Sequence, residues 1–249
     1  MKARRLLILG GSGRLGRRLK TSLPKGNATA FFPSRADLDA LSAQDLSMFL
    51  VEHSIDRCVC LAAATDVARC ERDLEYASIN PQIASVVSRV CTDHLVESVY
   101  ISTDYVVPLL LNESANVYAS SKLVAEPLAL QHGSNVLRVA FTTPEQSSAW
   151  SFVNSYTRSN RAWVEDTAKA LSGYILRDEL SPIASLCPPE TTFEDLLRAR
   201  FPHHKALDCT VWSPEDMKAR VGVAAPSSTC FNRVHDHEIV KHSVTKCWQ

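Results

Sequence analysis

Arg5-Leu6-Leu7-Ile8-Leu9 runs directly into Gly10-Gly11-Ser12-Gly13-Arg14-Leu15-Gly16, and Arg17-Arg18-Leu19-Lys20 follows. A short apolar run that stops at glycines predicts a buried strand, and the residues after Gly16 continue as a helix. Glycines spaced Gly10-x-x-Gly13-x-x-Gly16 serve a tight turn, close backbone approach to a pyrophosphate, and close packing of the helix on the sheet. The phosphates would lie at the helix N-terminus, where free N–H groups and the dipole meet their charge. A glycine-rich turn without a ligand is the alternative; the position between strand and helix favours a dinucleotide cradle.

Downstream, Ala28 to Phe32 predicts a second strand, at whose end an NAD-using fold often places Asp or Glu on the ribose. Here the residues are Phe32-Pro33-Ser34-Arg35, with no carboxylate, and Ser34 and Arg35 could hold a 2′-phosphate. This inclines the cofactor from NAD towards NADP, with a solvated loop cation as the alternative for Arg35; Asp39 is placed to reach the adenine. Ser42 caps a helix to about His53. Ile55 to Ala64 predicts a third strand ending in Ala62-Ala63-Ala64, small residues against which a cofactor can lie, and Thr65-Asp66 opens a loop over them. Glu71 to Ala77 and Gln82 to His94 read as two helices broken at Asn80-Pro81. Leu95 to Ser102 and Val136 to Phe141 complete five strands. Strands alternating with helices predict a doubly wound, Rossmann-like parallel α/β sheet, with ligands across the carboxyl ends of its strands.

Thr103 stands at one such end. Tyr118-Ala119-Ser120-Ser121-Lys122 opens the next helix, and residues four apart lie on one helix face. An ammonium beside a phenol favours its ionisation, so Tyr118 could exchange a proton with a carbonyl oxygen while a cofactor delivers hydride. An ordinary surface Tyr and Lys is the alternative; the convergence with the glycine loop and Thr103 favours the catalytic one. Pro127 follows within the same helical stretch, where proline costs on the order of 3 kcal/mol and kinks the axis.

The 249 residues include 45% hydrophobic side chains, enough for one sizeable core, and the formal net charge is zero. There is no electrostatic footprint for nucleic acid or an anionic membrane, no apolar run of membrane-span length, and the basic N-terminus lacks a signal-length apolar stretch. Eight scattered cysteines suit reduced thiols in a cytoplasmic protein. Beyond Phe141 the signals weaken. Thr191 to Leu197 predicts a short helix with a threonine cap. His203, His204, His235, His237, His242 and Cys247 match no zinc spacing, and no metal is expected.

These motifs resemble the extended short-chain dehydrogenase/reductases, specifically the dTDP-4-dehydrorhamnose reductase family, in a shortened form. The likeness rests on the glycine loop, Arg35-Ala36-Asp37-Leu38-Asp39, Ala62 to Val67, Glu71, Asn80, Ser102-Thr103-Asp104-Tyr105-Val106, Asn116-Val117-Tyr118-x-x-x-Lys122-Leu123-x-x-Glu126, and Leu137-Arg138. It covers about the first 140 residues and implies a Rossmann domain over 1–145 with a compressed, intertwined substrate lobe over 146–249. It further implies NAD(P)H-dependent reduction of a 4-keto-6-deoxy sugar on a nucleoside diphosphate. By resemblance, Tyr118 is the acid, Lys122 tunes it and holds the nicotinamide ribose, and Thr103 binds the sugar carbonyl. Asp104, Tyr105 and Phe141 border the sugar, Phe141 standing where the family has a Trp. Gly10, Ser12, Gly13, Arg14, Leu15, Gly16, Asp39, Ala62, Ala63 and Thr65 line the cofactor. The segment between Tyr105 and Tyr118 is shorter than in the family. Two alternatives stay open: a nucleotide-sugar epimerase or dehydratase, and a non-catalytic NADP-binding subunit like the regulatory β subunit of methionine adenosyltransferase. A homodimer is compatible with either.

Overall fold

Strict alternation in the first strand sends Leu6 and Ile8 to one face of a sheet and Leu7 and Leu9 to the other, and all four are at most 2% exposed. Both faces are therefore covered, as a parallel sheet requires. The computed structural model describes residues 3–26, 28–110, 116–148, 158–188, 191–204, 228–229 and 238–241.

In chain order the first half contains β1 (Arg4–Leu9), α1 (Arg14–Ser22), β2 (Ala28–Phe31), α2 (Ala43–Glu52), β3 (Arg57–Cys60), α3 (Val67–Arg72), α4 (Leu74–Asp93) and β4 (Glu97–Thr103). Then come α5 (Val106–Leu110), α6 (Val117–Gln131), β5 (Asn135–Val139), β6 (Phe141–Thr142), α7 (Pro144–Ser148), β7 (Arg158–Ser159) and β8 (Ala162–Trp163). The remainder is α8 (Val164–Tyr174), β9 (Ile183–Cys187), β10 (Thr191–Thr192), α9 (Phe193–Arg200), β11 (Ser228–Thr229) and β12 (Glu238–Lys241).

Seven strands form one sheet in the order β12-β9-β5-β4-β3-β1-β2, with every neighbouring pair parallel. The chain leaves β1 for the edge at β2 and returns on the other side at β3. The loops after β1 and β3 therefore diverge to opposite faces and leave a crevice at the carboxyl ends. On one face α2, α4 and α6 bury Leu46, Leu50, Val87, Cys91 and Ala125 against Leu7, Leu9 and Tyr100. On the other, α1 and α8 bury Leu15, Leu19, Val164 and Leu171 against Leu6, Ile8, Val99 and Ile101. Among the described residues no helix is long and apolar enough to cross a membrane.

The doubly wound parallel sheet is as expected, and two local expectations are corrected. The helix break falls at Asp73, whose carboxylate accepts from Tyr76 N–H at 2.9 Å, and α4 continues through Pro81. Packing of Ile83, Ala84 and Val87 in the core, with Asn80 wholly buried, outweighs the missing donor. Helix α6 likewise continues through the exposed Pro127 to Gln131. Second, strand pairing in β3 ends at Cys60, so Ala62 to Ala64 form a loop beyond the strand rather than its last residues. The sheet also gains β9 and β12 from the segment where the sequence signals were weak. Of the histidines weighed as metal ligands, His203 and His204 lie among the described residues and the others outside them. The described residues contain no cluster of three potential ligands.

Candidate active site

The turn after β1 is built to bring two backbones together. Gly10 has φ +79°, and a Cβ there would stand 2.6 Å from the Ala62 nitrogen. A Cβ on Gly16 would meet the Gly10 carbonyl oxygen and Gly11 Cα, each at 2.6 Å, so α1 packs directly on the turn. Gly13 N-caps α1 with no side chain on the first-turn N–H groups. These features fit the pyrophosphate of a dinucleotide: a bare helix N-terminus above a turn that only glycine can make. Gly10 and the residues from Ser12 to Gly16 line one end of a cleft of ≈520 Å³.

Arg35 and Asp39 form its rim beyond β2, joined by a contact of 3.7 Å, with the Arg35 side chain 78% exposed. Ser34 is engaged otherwise: its N–H and hydroxyl donate to Asp37 Oδ2 at 3.0 and 2.7 Å. Those two bonds hold the Asp37 carboxyl below its ordinary pKa. Across the crevice, Ala62, Ala63 and Thr65 line the same cleft.

The first turn of α6 is fixed by two side chains. Asn116 accepts from Ala119 N–H at 2.8 Å, and Glu71, reaching from α3, accepts from Val117 N–H at 2.7 Å. Tyr118 follows, half-buried, and shares a hydrogen bond with Thr103 at the end of β4. Burial raises the Tyr118 pKa, and the Thr103 bond offsets only part of that rise. The Tyr118-x-x-x-Lys122 spacing predicts the reverse, through a charged neighbour. In the structure the Lys122 Nζ instead donates to Tyr100 Oη at 2.7 Å and to the Ile101 carbonyl at 2.6 Å, and burial lowers its pKa to about 8. Tyr118 therefore stands as a protonated phenol at neutral pH, and Lys122 remains mostly charged.

Thr103 Oγ1 donates to Asp104 Oδ1 at 3.1 Å and accepts from Tyr105 N–H at 3.3 Å. The Tyr105 ring meets Tyr118 edge-on, with centroids 6.2 Å apart. Phe141, at the start of β6, closes the wall. The cleft thus gathers the residues expected at cofactor and substrate from six separate stretches of chain.

One residue escaped the sequence argument. Arg161, just before β8, stands in the cleft 3.7 Å from Asp104, over the rings of Tyr105 and Phe193 at 5.3 and 4.7 Å. Its Nε is buried without a hydrogen-bond partner among the described residues. It falls in the stretch where motif likeness fades, and nothing local distinguishes it from a surface arginine.

The model of the RmlD substrate binding domain matches residues 4–142. No curated protein sequence matches the chain at a significant level. Among solved structures, dTDP-4-dehydrorhamnose reductase from Bacillus anthracis in complex with NADP superimposes with a TM-score of 0.75 at 17% identity, over 93% of this chain and 90% of that one. An orthologous reductase from Clostridium acetobutylicum gives 0.74 at 18% identity, over 91% and 89%. A GDP-L-fucose synthetase from Naegleria fowleri bound to NADP gives 0.62 at 13% identity, over 89% and 88%.

Proposed function

The chain belongs to the RmlD substrate binding domain family, and from that premise we propose that it reduces the 4-keto group of a nucleotide-linked 4-keto-6-deoxy sugar with NADPH. The observation that carries this reading is the meeting of Tyr118, Thr103 and Lys122 at the carboxyl end of β4, inside the cleft that the Gly10–Gly16 turn opens. The bound dinucleotide would supply the hydride. This chain's residues do the rest. Tyr118, kept protonated by burial, gives its proton to the carbonyl oxygen as negative charge develops there. Thr103, whose single hydroxyl proton rests on Asp104, would turn that proton to the carbonyl oxygen. Lys122 presents positive charge at the cofactor side of the cleft.

Arg161 supports an anionic substrate. A guanidinium with a buried, unpartnered Nε beside Asp104 and Tyr105 suits the diphosphate or a hydroxyl of a nucleotide sugar. At the other end, the exposed Arg35 on the rim supports NADPH over NADH, because a 2′-phosphate would compete with Asp39 for it.

Loss of NADPH absorbance on adding dTDP-4-keto-6-deoxy-L-mannose, with the UDP analogue and NADH alongside, tests the reading. The expected result is consumption that falls by about 10²-fold or more in Tyr118→Phe while cofactor affinity is retained. Bound cofactor without consumption in the unaltered protein would replace the reductase with a binding subunit.

A further inference from the structure

We propose that Tyr100 is a positioning residue for Lys122: its phenolic oxygen, with the Ile101 carbonyl, fixes the ammonium at the floor of the cleft and keeps it charged. The role of the ammonium rests on the reductase reading above; its anchoring rests on geometry alone.

Tyr100 points from β4 into the core beneath α4 and α6 and is 2% exposed, as is Lys122. At such a place an aliphatic side chain or Phe would fill the same volume without a polar atom to satisfy. The hydroxyl has use because Lys122 Nζ lies 2.7 Å from it, while the ammonium also stands 4.1 Å from the ring centroid. One side chain therefore offers the cation both an acceptor and a π-face. An ammonium has three N–H bonds; Tyr100 and Ile101 take two, which leaves one for the cleft.

The other groups that face Lys122 do not replace this anchor. Cys60 comes from β3, and burial pushes its thiol up to about 12, so it is neutral. Glu126, one turn on in α6, favours the charged lysine from a distance. Both its oxygens are held by Arg138 from β5, at 2.9 and 2.7 Å. Tyr118, one turn back in α6, is a neutral phenol. Burial opposes the charge, and among the described residues the acceptors that touch the ammonium are Tyr100 and Ile101.

Tyr100→Phe keeps the ring and removes the oxygen. Lysine labelled with ¹³C at Cε reports the titration of Lys122 by NMR, with the signal identified by its loss in Lys122→Met. The midpoint is expected to fall by about one pH unit or more in Tyr100→Phe; an unchanged midpoint overturns the proposal. The alkaline limb of turnover is expected to move down in parallel, whereas a purely structural Tyr100 would lower the plateau and leave the limb in place. The NMR arm needs no substrate, so an inactive wild type would defeat the reductase reading without touching this one. Should Tyr100→Phe fold poorly, Tyr100→Phe/Lys122→Met is compared with Lys122→Met. Equal stability of those two supports an anchor acting through Lys122, and an undiminished loss in the double variant overturns it.

Discussion

Asn80 and Ala64 close a two-way hydrogen bond: the Asn80 carbonyl oxygen accepts from Ala64 N–H at 2.8 Å, and its amide donates to the Ala64 carbonyl at 3.1 Å. The same amide donates to Ser121 Oγ at 2.9 Å. One fully buried side chain in α4 thereby joins the loop after β3, where the cofactor is expected, to the helix that carries Tyr118 and Lys122. Asn80→Ala would leave the Ala64 N–H unsatisfied in the interior and its carbonyl with only the weak Cys70 thiol donor, at 4.0 Å. It should cost about 2–4 kcal/mol in urea unfolding and weaken cofactor binding as well. A melting curve superimposable on the wild type would show that water replaces the side chain.

Glu126 and Arg138 form a buried bidentate pair, with the Ser102 hydroxyl adding a bond to Glu126 at 2.6 Å. Both side chains are 5% exposed or less, so removing one partner strands a charge. Arg138→Met or Glu126→Leu alone should destabilise by roughly 3–5 kcal/mol. The double substitution should recover most of that loss, because two apolar groups strand no charge and leave only the Ser102 hydroxyl to find a new partner. Chemical denaturation of the three variants tests this, and additive losses would rule out the pair as the source.

Where the structure could be read from the chain, the physics was local. The Gly10–Gly16 turn announces itself because φ and close approach act within a few residues. Ser42 and Thr192 cap their helices as expected, accepting from Asp45 and Asp195 N–H three residues on. What escaped depends on partners far along the chain. Asn80-Pro81 looks like a break until the buried face of α4 is seen to hold the helix through it. Tyr100 reads as one more core residue of a strand, since its bond to Lys122 spans 22 positions. Ile183–Cys187 and Glu238–Lys241 lack flanking motifs, and only the pairing of the first with β5 and of the second with the first makes them strands. Arg161 belongs to the site only because β8 pairs with β6 and brings it opposite Asp104.

Two glycines with positive φ separate backbone strain from steric exclusion. Gly10→Ala meets both, with φ +79° and a Cβ 2.6 Å from the Ala62 backbone. Gly26→Ala meets only the first, with φ +89° and nothing within 4 Å. Gly26→Ala should cost about 1 kcal/mol of stability and leave nucleotide affinity intact. Gly10→Ala should weaken nicotinamide dinucleotide binding by at least about tenfold, since Ala62 must move and take the cleft wall with it. Fluorescence titration of NADPH with both variants checks this. Equal affinity in the two would mean that the turn is not the cradle.

Lys122 also leaves a signature in stability. Its pKa in the folded protein is about 8, below the 10.5 of a free lysine, because burial penalises the charge. Below pH 8 both states hold the proton, and the native state bears the full cost of the buried ammonium. Between pH 8 and 10.5 the unfolded chain binds more protons than the native one, so this contribution makes stability rise with pH. Above 10.5 both forms are neutral and the cost is gone. Buried Cys58, Cys60 and Tyr100, whose pKa values are raised, act the opposite way at alkaline pH. The lysine is therefore read as a difference between wild type and Lys122→Met, in which those groups are common. Lys122→Met should be the more stable at pH 7, and its advantage should shrink by on the order of 3 kcal/mol as pH rises from 8 to 10.5. Urea melts at closely spaced pH values give that difference directly. A gap that stays constant across the window would place the Lys122 titration outside it, and the charge at the cleft floor would then have to be held by more than Tyr100 and the Ile101 carbonyl.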